Sequence, residues 1–142
     1  MRFENSITIR RPVPDVFAYL ARFENIPQWN YAITQTRPVT PGPVGVGSTY
    51  VQQRTLPTAS QESIKVTTYE PDHRLAVHGQ FGPLPTRATY VVEPVANGTR
   101  LTNIMEVDPN GILRVVLPVV TGRLKAAVAG NLDRLKEIVE TP

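Results

Sequence analysis

The strongest constraint lies between residues 31 and 108, where extended runs follow one another with only turn signals between them. The runs are 31–39, 48–56, 61–70, 74–81, 87–95 and 99–108. They are broken by Thr40-Pro41-Gly42-Pro43, Pro57-Thr58, Pro71-Asp72-His73, Gly82-Pro83-Leu84-Pro85 and Ala96-Asn97-Gly98. Parallel neighbours need a crossover of about a dozen residues or more, and no gap here holds one. The segment must build an antiparallel meander. Asn97-Gly98, between two alternating runs, is its sharpest hairpin signal.

The flanks complete the pattern. Residues 3 to 11 set Phe3, Ile7 and Ile9 against Glu4, Ser6, Thr8 and Arg10, a period of two that reads as a half-buried strand. Pro12 and Pro14 end it. Pro14-Asp15 then starts a helix whose apolar face carries Val16, Phe17, Leu20 and Phe23. Asn25-Ile26-Pro27 stops it, and Gln28-Trp29-Asn30 forms a short second turn. After Asn110-Gly111, one stripe runs through Leu113, Leu117, Val120, Leu124, Val128, Leu132, Leu135 and Val139, so a long helix is expected to about Glu140. Pro118 should kink or restart it, and Gly122 weakens the same region. No linker or repeat interrupts the chain, and a single domain over residues 1–142 is expected.

Composition narrows the functions. The 142 residues include no cysteine, which removes disulfides, thiolate nucleophiles and cysteine metal sites together. The net charge is +3, but Arg10-Arg11 is the only adjacent basic pair. A nucleic-acid binder usually shows a basic stripe or patch, so no nucleic-acid partner is expected. The most apolar stretch, residues 112–120, is too short to span a bilayer and contains Arg114 and Pro118. With no signal-peptide core after Met1, cytoplasmic residence and no integral membrane association are expected.

The expected fold class is therefore α+β: a seven-stranded curved antiparallel sheet around a long C-terminal helix, with two short helices between strands 1 and 2. One helix about 10 Å across cannot fill the concave side of a strongly twisted seven-stranded sheet. Side chains fill the remainder, or a ligand does.

Several motifs carry a resemblance. Phe3-x-x-Ser6-Ile7-x-Ile9, Val13-Pro14-Asp15-Val16-Phe17-x-Tyr19-Leu20 and Asn25-Ile26-Pro27-x-Trp29 open the chain. Gly45-Val46-Gly47-Ser48, Tyr69-Glu70-Pro71-Asp72-His73-Arg74-Leu75, Glu93-Pro94-x-x-Asn97-Gly98-Thr99-Arg100-Leu101-Thr102 and Asn131-Leu132-x-Arg134-Leu135-Lys136 follow. Together they resemble the polyketide cyclase/dehydrase and lipid-transport family of the START-like helix-grip (SRPBCC) superfamily, nearly end to end. The resemblance implies a helix-grip fold. These motifs are mostly turns and packing positions, so they speak for fold more than for activity.

The candidate site residues follow from which face each side chain shares. Tyr90 alternates with Ala88 and Val92 and should point inward, as should Met105 and Asn103 beside Leu101 and Val107. Asn103 is then a polar group on an apolar face, which needs a partner or a wet pocket. On the third strand Tyr50, Gln52, Arg54 and Leu56 oppose Thr49, Val51, Gln53 and Thr55, and neither side is clearly apolar. If the Tyr50 side faces in, Arg54 is a cavity anchor able to bind a carboxylate or stabilise an enolate; otherwise it is an exposed strand arginine. Val66, Val77 and Phe81 on the middle strands join the expected lining. His78 is either a solvent-facing strand residue or a polar cavity residue, and Trp29 either core or ligand contact. Leu117, Val120 and Leu124 should face the mouth, Leu132, Leu135 and Val139 the core, and Asn131 lies where it can bridge polar groups. Glu62, Glu93 and Glu106 read as solvent-facing. Gly42 to Gly47 joins two strands with no lysine behind it, so it reads as a structural turn at one rim of the cavity rather than a phosphate cradle. Two histidines on different local structures give no zinc spacing, and no metal or cofactor is expected.

Two functions fit these residues. One is a binder of a small hydrophobic molecule, such as a lipid, aromatic or polyketide-like metabolite, without catalysis. The other, implied by the family resemblance, is a polyketide aromatase/cyclase or dehydratase in which Arg54 and Tyr90 are the candidate catalytic residues. The oligomeric state, monomer or homodimer, is left open.

Overall fold

The structure is a computed structural model that describes residues 1–81, 84–108 and 113–141, without the side chains of residues 81 and 113–118. The elements are β1 (Arg2–Ile9), α1 (Val13–Ala21), a 3-10 turn (Phe23–Asn25), α2 (Ile26–Trp29) and β2 (Ile33–Pro38). After them come β3 (Thr49–Arg54), β4 (Ser60–Glu70), β5 (Arg74–Phe81), β6 (Leu84–Val95), β7 (Gly98–Val107) and α3 (Leu113–Glu140). The strands form one curved antiparallel sheet in the order β1-β7-β6-β5-β4-β3-β2, a meander with β1 added beside β7.

Local chemistry explains most boundaries. In β1 the odd residues Phe3 and Ile9 are buried and the even ones exposed. Pro12 and Pro14 bracket the start of α1, and Asp15 in its first turn pairs with Arg11 at 2.9 Å. The Pro71-Asp72-His73 turn is closed by Asp72 at φ +64, a left-handed conformation that aspartate tolerates. Two expectations need correction. β6 begins at Leu84 rather than Arg87, because Pro85 sits in the strand opposite Gln80 and its carbonyl accepts from the Asp108 amide at 2.9 Å. The expected restart at Pro118 is absent, since α3 is a single element from Leu113 to Glu140.

The β6–β7 hairpin also differs in detail from its sequence signal. Val95 pairs with Gly98, so Ala96-Asn97 makes the turn and Gly98 opens β7. The glycine is needed for close approach: a Cβ at 98 would overlap the carbonyl oxygen of Ile9. Gly98→Ala is expected to cost more than about 1 kcal/mol, read as a lower urea midpoint with an unchanged slope.

The core lies where α1, α2 and the C-terminal half of α3 meet the sheet. Ile9, Val16, Leu20, Leu75, Leu101, Leu132 and Leu135 are all buried in it. Polar bonds fix the same end of α3 to β1. Glu140 Oε2 accepts from Lys136 Nζ at 2.8 Å and from the Arg10 amide at 2.7 Å, and Lys136 also donates to the Thr8 carbonyl. The Lys136 hydrogen bond, then the Arg10 amide, holds the Glu140 carboxyl below its usual range.

Candidate functional site

Ahead of that anchored end, α3 stands off the sheet and encloses a cavity of about 560 Å³. Val120, Leu124 and Val128 of α3 face Phe3, Met105 and Val107 of β1 and β7 across it, while Leu56-Pro57 and residues 30–32 form the rim. The volume falls within the range of small-molecule sites. A smaller space of about 110 Å³ continues inward beneath α2, bounded by Trp29, Val77, Gly79 and Tyr90. Asn30, Arg54, Thr86 and Met105 line both spaces and mark their junction. At the inner end Gly79 allows Ile64 to pack closely, because a Cβ there would crowd Ile64 Cγ2 at 2.8 Å.

The third-strand ambiguity resolves inward: Tyr50, Gln52 and Arg54 are all buried. Arg54 does not arrive alone. Its Nε donates to Glu62 Oε2 at 2.7 Å, its Nη1 donates to the Leu56 carbonyl at 3.3 Å, and Gln52 Nε2 donates to Glu62 Oε1 at 3.0 Å. The Glu62 side chain is 1% exposed and that of Arg54 11%. Glu62, read from sequence as solvent-facing, is thus the buried counter-ion of Arg54. The physical reason is register: Glu62 shares the inward face of β4 with Ile64 and Val66 and lies directly opposite Gln52. Glu93 and Glu106 are exposed as expected.

Seven of the predicted residues come together around this cavity: Trp29, Arg54, Val77, Tyr90 and Met105 at the inner end or junction, and Val120 and Leu124 on α3. Trp29 and Tyr90 meet edge to face, with ring centroids 6.2 Å apart. Burial pushes the Tyr90 phenol up to about 12. Others do not join. Tyr50 packs against Phe23 in a tilted pair, with ring centroids 4.7 Å apart, and borders a separate groove, and Val66 is sealed in the core. His78 is exposed on the convex face, because Val77 and Gly79 take the inward positions of β5. Asn103 is fully buried and donates to the Thr89 carbonyl at 3.3 Å, yet it lines neither space, and its Oδ1 has no partner among the described residues. The side chains of Phe81 and Leu117 lie outside the described residues. Asn131 does bridge, accepting from the Tyr31 amide at 3.2 Å.

The glycine loop is also displaced from its expected place. Pro38 to Val44 faces α1 and Tyr69 across the separate groove, away from the cavity mouth. Sequence reasoning missed Gln52, Thr86, Gly79 and Asn30 as lining. Gln52 shares the parity of Arg54, and Thr86 that of Ala88 and Tyr90, so strand alternation held the signal for both.

A curved seven-stranded antiparallel sheet gripping a C-terminal helix over an internal cavity defines the helix-grip class. The chain belongs to the polyketide cyclase / dehydrase and lipid transport family, whose description matches residues 1–140. No curated protein matches it. Among solved structures it is similar to protein MLL2253 from Mesorhizobium loti, with 15% identity, TM-score 0.78, and 99% of this chain and 97% of that one covered. It is likewise similar to TTHA0849 from Thermus thermophilus, with 15% identity, TM-score 0.77 and coverage of 98% and 97%. A third likeness is to the di-domain ARO/CYC StfQ from the steffimycin biosynthetic pathway, with 16% identity and TM-score 0.79, covering 98% of this chain and 50% of that one. Identities this low speak for the fold alone. No helix among the described residues is long and apolar enough to cross a membrane.

Proposed function

We propose that this protein, acting as a single domain in the cytoplasm, binds a small hydrophobic molecule of the lipid, aromatic or polyketide class in the cavity between sheet and α3, without transforming it. The observation that carries this reading is the cavity itself: about 560 Å³ walled mainly by aliphatic side chains, narrowing to a polar junction at Arg54. The family's description, with its lipid transport, supports the same class of ligand. Arg54 is already engaged by Glu62, and burial keeps the Tyr90 phenol protonated, which suits both groups to holding a ligand rather than to moving protons.

Native mass spectrometry and titration with lipids, fatty acids and aromatic polyketides test the proposal. Binding below about millimolar is expected for at least one apolar ligand. Leu124→Trp should intrude on the outer space where the apolar body lies and weaken that binding at least ~10-fold, with the thermal midpoint essentially kept. An absence of any apolar ligand in that range would defeat the reading.

Cyclase or dehydratase chemistry is the second reading. It is favoured by the placing of Arg54 and Tyr90 on one compartment and by the likeness to an ARO/CYC protein. It requires that Tyr90→Phe change the product profile from a poly-β-ketone chain while ligand affinity stays near wild type.

A further inference from the structure

We propose that the inner end of the cavity selects a neutral hydrogen-bonding head group, an alcohol, phenol or ketone, and rejects carboxylates. This rests on the ligand-binding reading above and specifies what enters head first. The inner space, about 110 Å³, admits only a small head, the equivalent of roughly three or four water molecules at ~30 Å³ each. The wider outer space then holds the apolar body.

The one charged group bordering that head, Arg54, is neutralised from behind by Glu62, which borders neither space. An arginine in an apolar cavity would ordinarily invite a carboxylate, and sequence alone suggested that role for Arg54. Here the invitation is already answered. Glu62 holds the guanidinium at 2.7 Å, and Gln52 fills the other carboxylate oxygen at 3.0 Å. An incoming carboxylate would gain attraction to Arg54 but meet repulsion from Glu62 behind it, so the attraction left to offset the cost of stripping its water is reduced. A neutral group loses far less hydration. It also finds suitable partners: neither the Tyr90 hydroxyl nor the Trp29 indole N–H has a hydrogen-bond partner among the described residues, and both rings border the inner space. The phenol can donate or accept, and the indole can donate.

The test uses the intact chain and displacement of the neutral dye Nile red by octanol, octanoate and octane. It is run at about pH 8, where octanoate is fully ionised. Octanol should displace the dye at ~10-fold lower concentration than either octanoate or octane. Glu62→Gln removes the charge and nearly keeps the shape; its one remaining oxygen can still accept from Arg54 Nε, while its NH2 requires the Gln52 amide to turn over and accept. It should shift the octanoate-to-octanol affinity ratio ~10-fold toward octanoate. Octanoate binding as well as octanol to the wild type overturns the proposal, as does octane matching octanol. A folded Glu62→Gln that leaves the octanoate-to-octanol ratio unmoved does the same; should that variant fail to fold, the wild-type ranking decides. If all three ligands bind alike, ligand binding survives and head-group selection falls. If neither dye nor ligand binds, both fall together.

Discussion

Replacing Glu62 by alanine is expected to lower stability by about 3–5 kcal/mol, the range for removing one partner of a buried ion pair. The loss has a specific origin. Glu62 is the acceptor for both the Arg54 Nε and the Gln52 amide, and its side chain is 1% exposed. Alanine would leave a guanidinium in a half-apolar cavity without its counter-ion and strand the Gln52 donor beside it. Because Arg54 borders the cavity, water entering there can soften the penalty, which argues for the lower part of the range. Removing both charges is a different experiment. Arg54→Met with Glu62→Leu eliminates the desolvation of two ions together, and the double variant should recover most of the stability lost by Glu62→Ala. Urea unfolding of the two single variants and the double variant measures the coupling directly. A Glu62→Ala loss below about 1 kcal/mol would mean that the pair is not buried as described.

Leu135→Ala is expected to cost about 2–5 kcal/mol, through lost transfer energy and the void left behind. Leu135 is 0% exposed and belongs to the cluster that joins α3 to α1, β1 and β7 through Val16, Leu20, Ile9 and Leu101. In a chain of this size each kcal/mol lowers the midpoint by roughly 2–4 °C, so a fall of several degrees to more than ten is expected. Position along the same helix should change the outcome. Val119 is 63% exposed, and Val119→Ala should stay within about 0.5 kcal/mol. Leu124 already faces open volume, so Leu124→Ala enlarges an existing space and should cost much less than Leu135→Ala. Differential scanning calorimetry on the three variants orders them. Equal losses at 124 and 135 would show that α3 is packed uniformly and that the cavity is not open along it.

Much of this architecture is legible along the chain because it is local. Alternation in residues 3–9 places Phe3 and Ile9 inward, and the apolar spacing from Leu124 to Val139 marks the inner stripe of α3. Prolines and glycines locate nearly every turn. The failures arise where a partner distant in sequence overrides the local pattern. Pro85 sits inside β6 because its missing N–H costs little at that end of the sheet while its carbonyl serves Asp108. His78 faces out although its neighbours are apolar, because a one-residue parity decides the face of a strand.

The site shows the same division more sharply. Tyr90 and Met105 could be placed inward from parity, and both border the cavity. The third strand could not be read that way, since Tyr50, Gln52 and Arg54 balance Thr49, Val51 and Gln53 in polarity. Its inward face is the one on which Tyr50 joins the core and Arg54 and Gln52 both meet Glu62, Gln52 directly opposite it and Arg54 diagonally across the β3–β4 pairing.

The chain's own pattern of alternation, turns and one long amphipathic stripe was enough to determine a meander covered by a helix, since each of those signals acts over a few residues. Only the tertiary structure decided which charges meet inside and where the helix leaves the sheet. Those outcomes depend on register and curvature summed over seven strands, quantities that no short stretch of residues encodes.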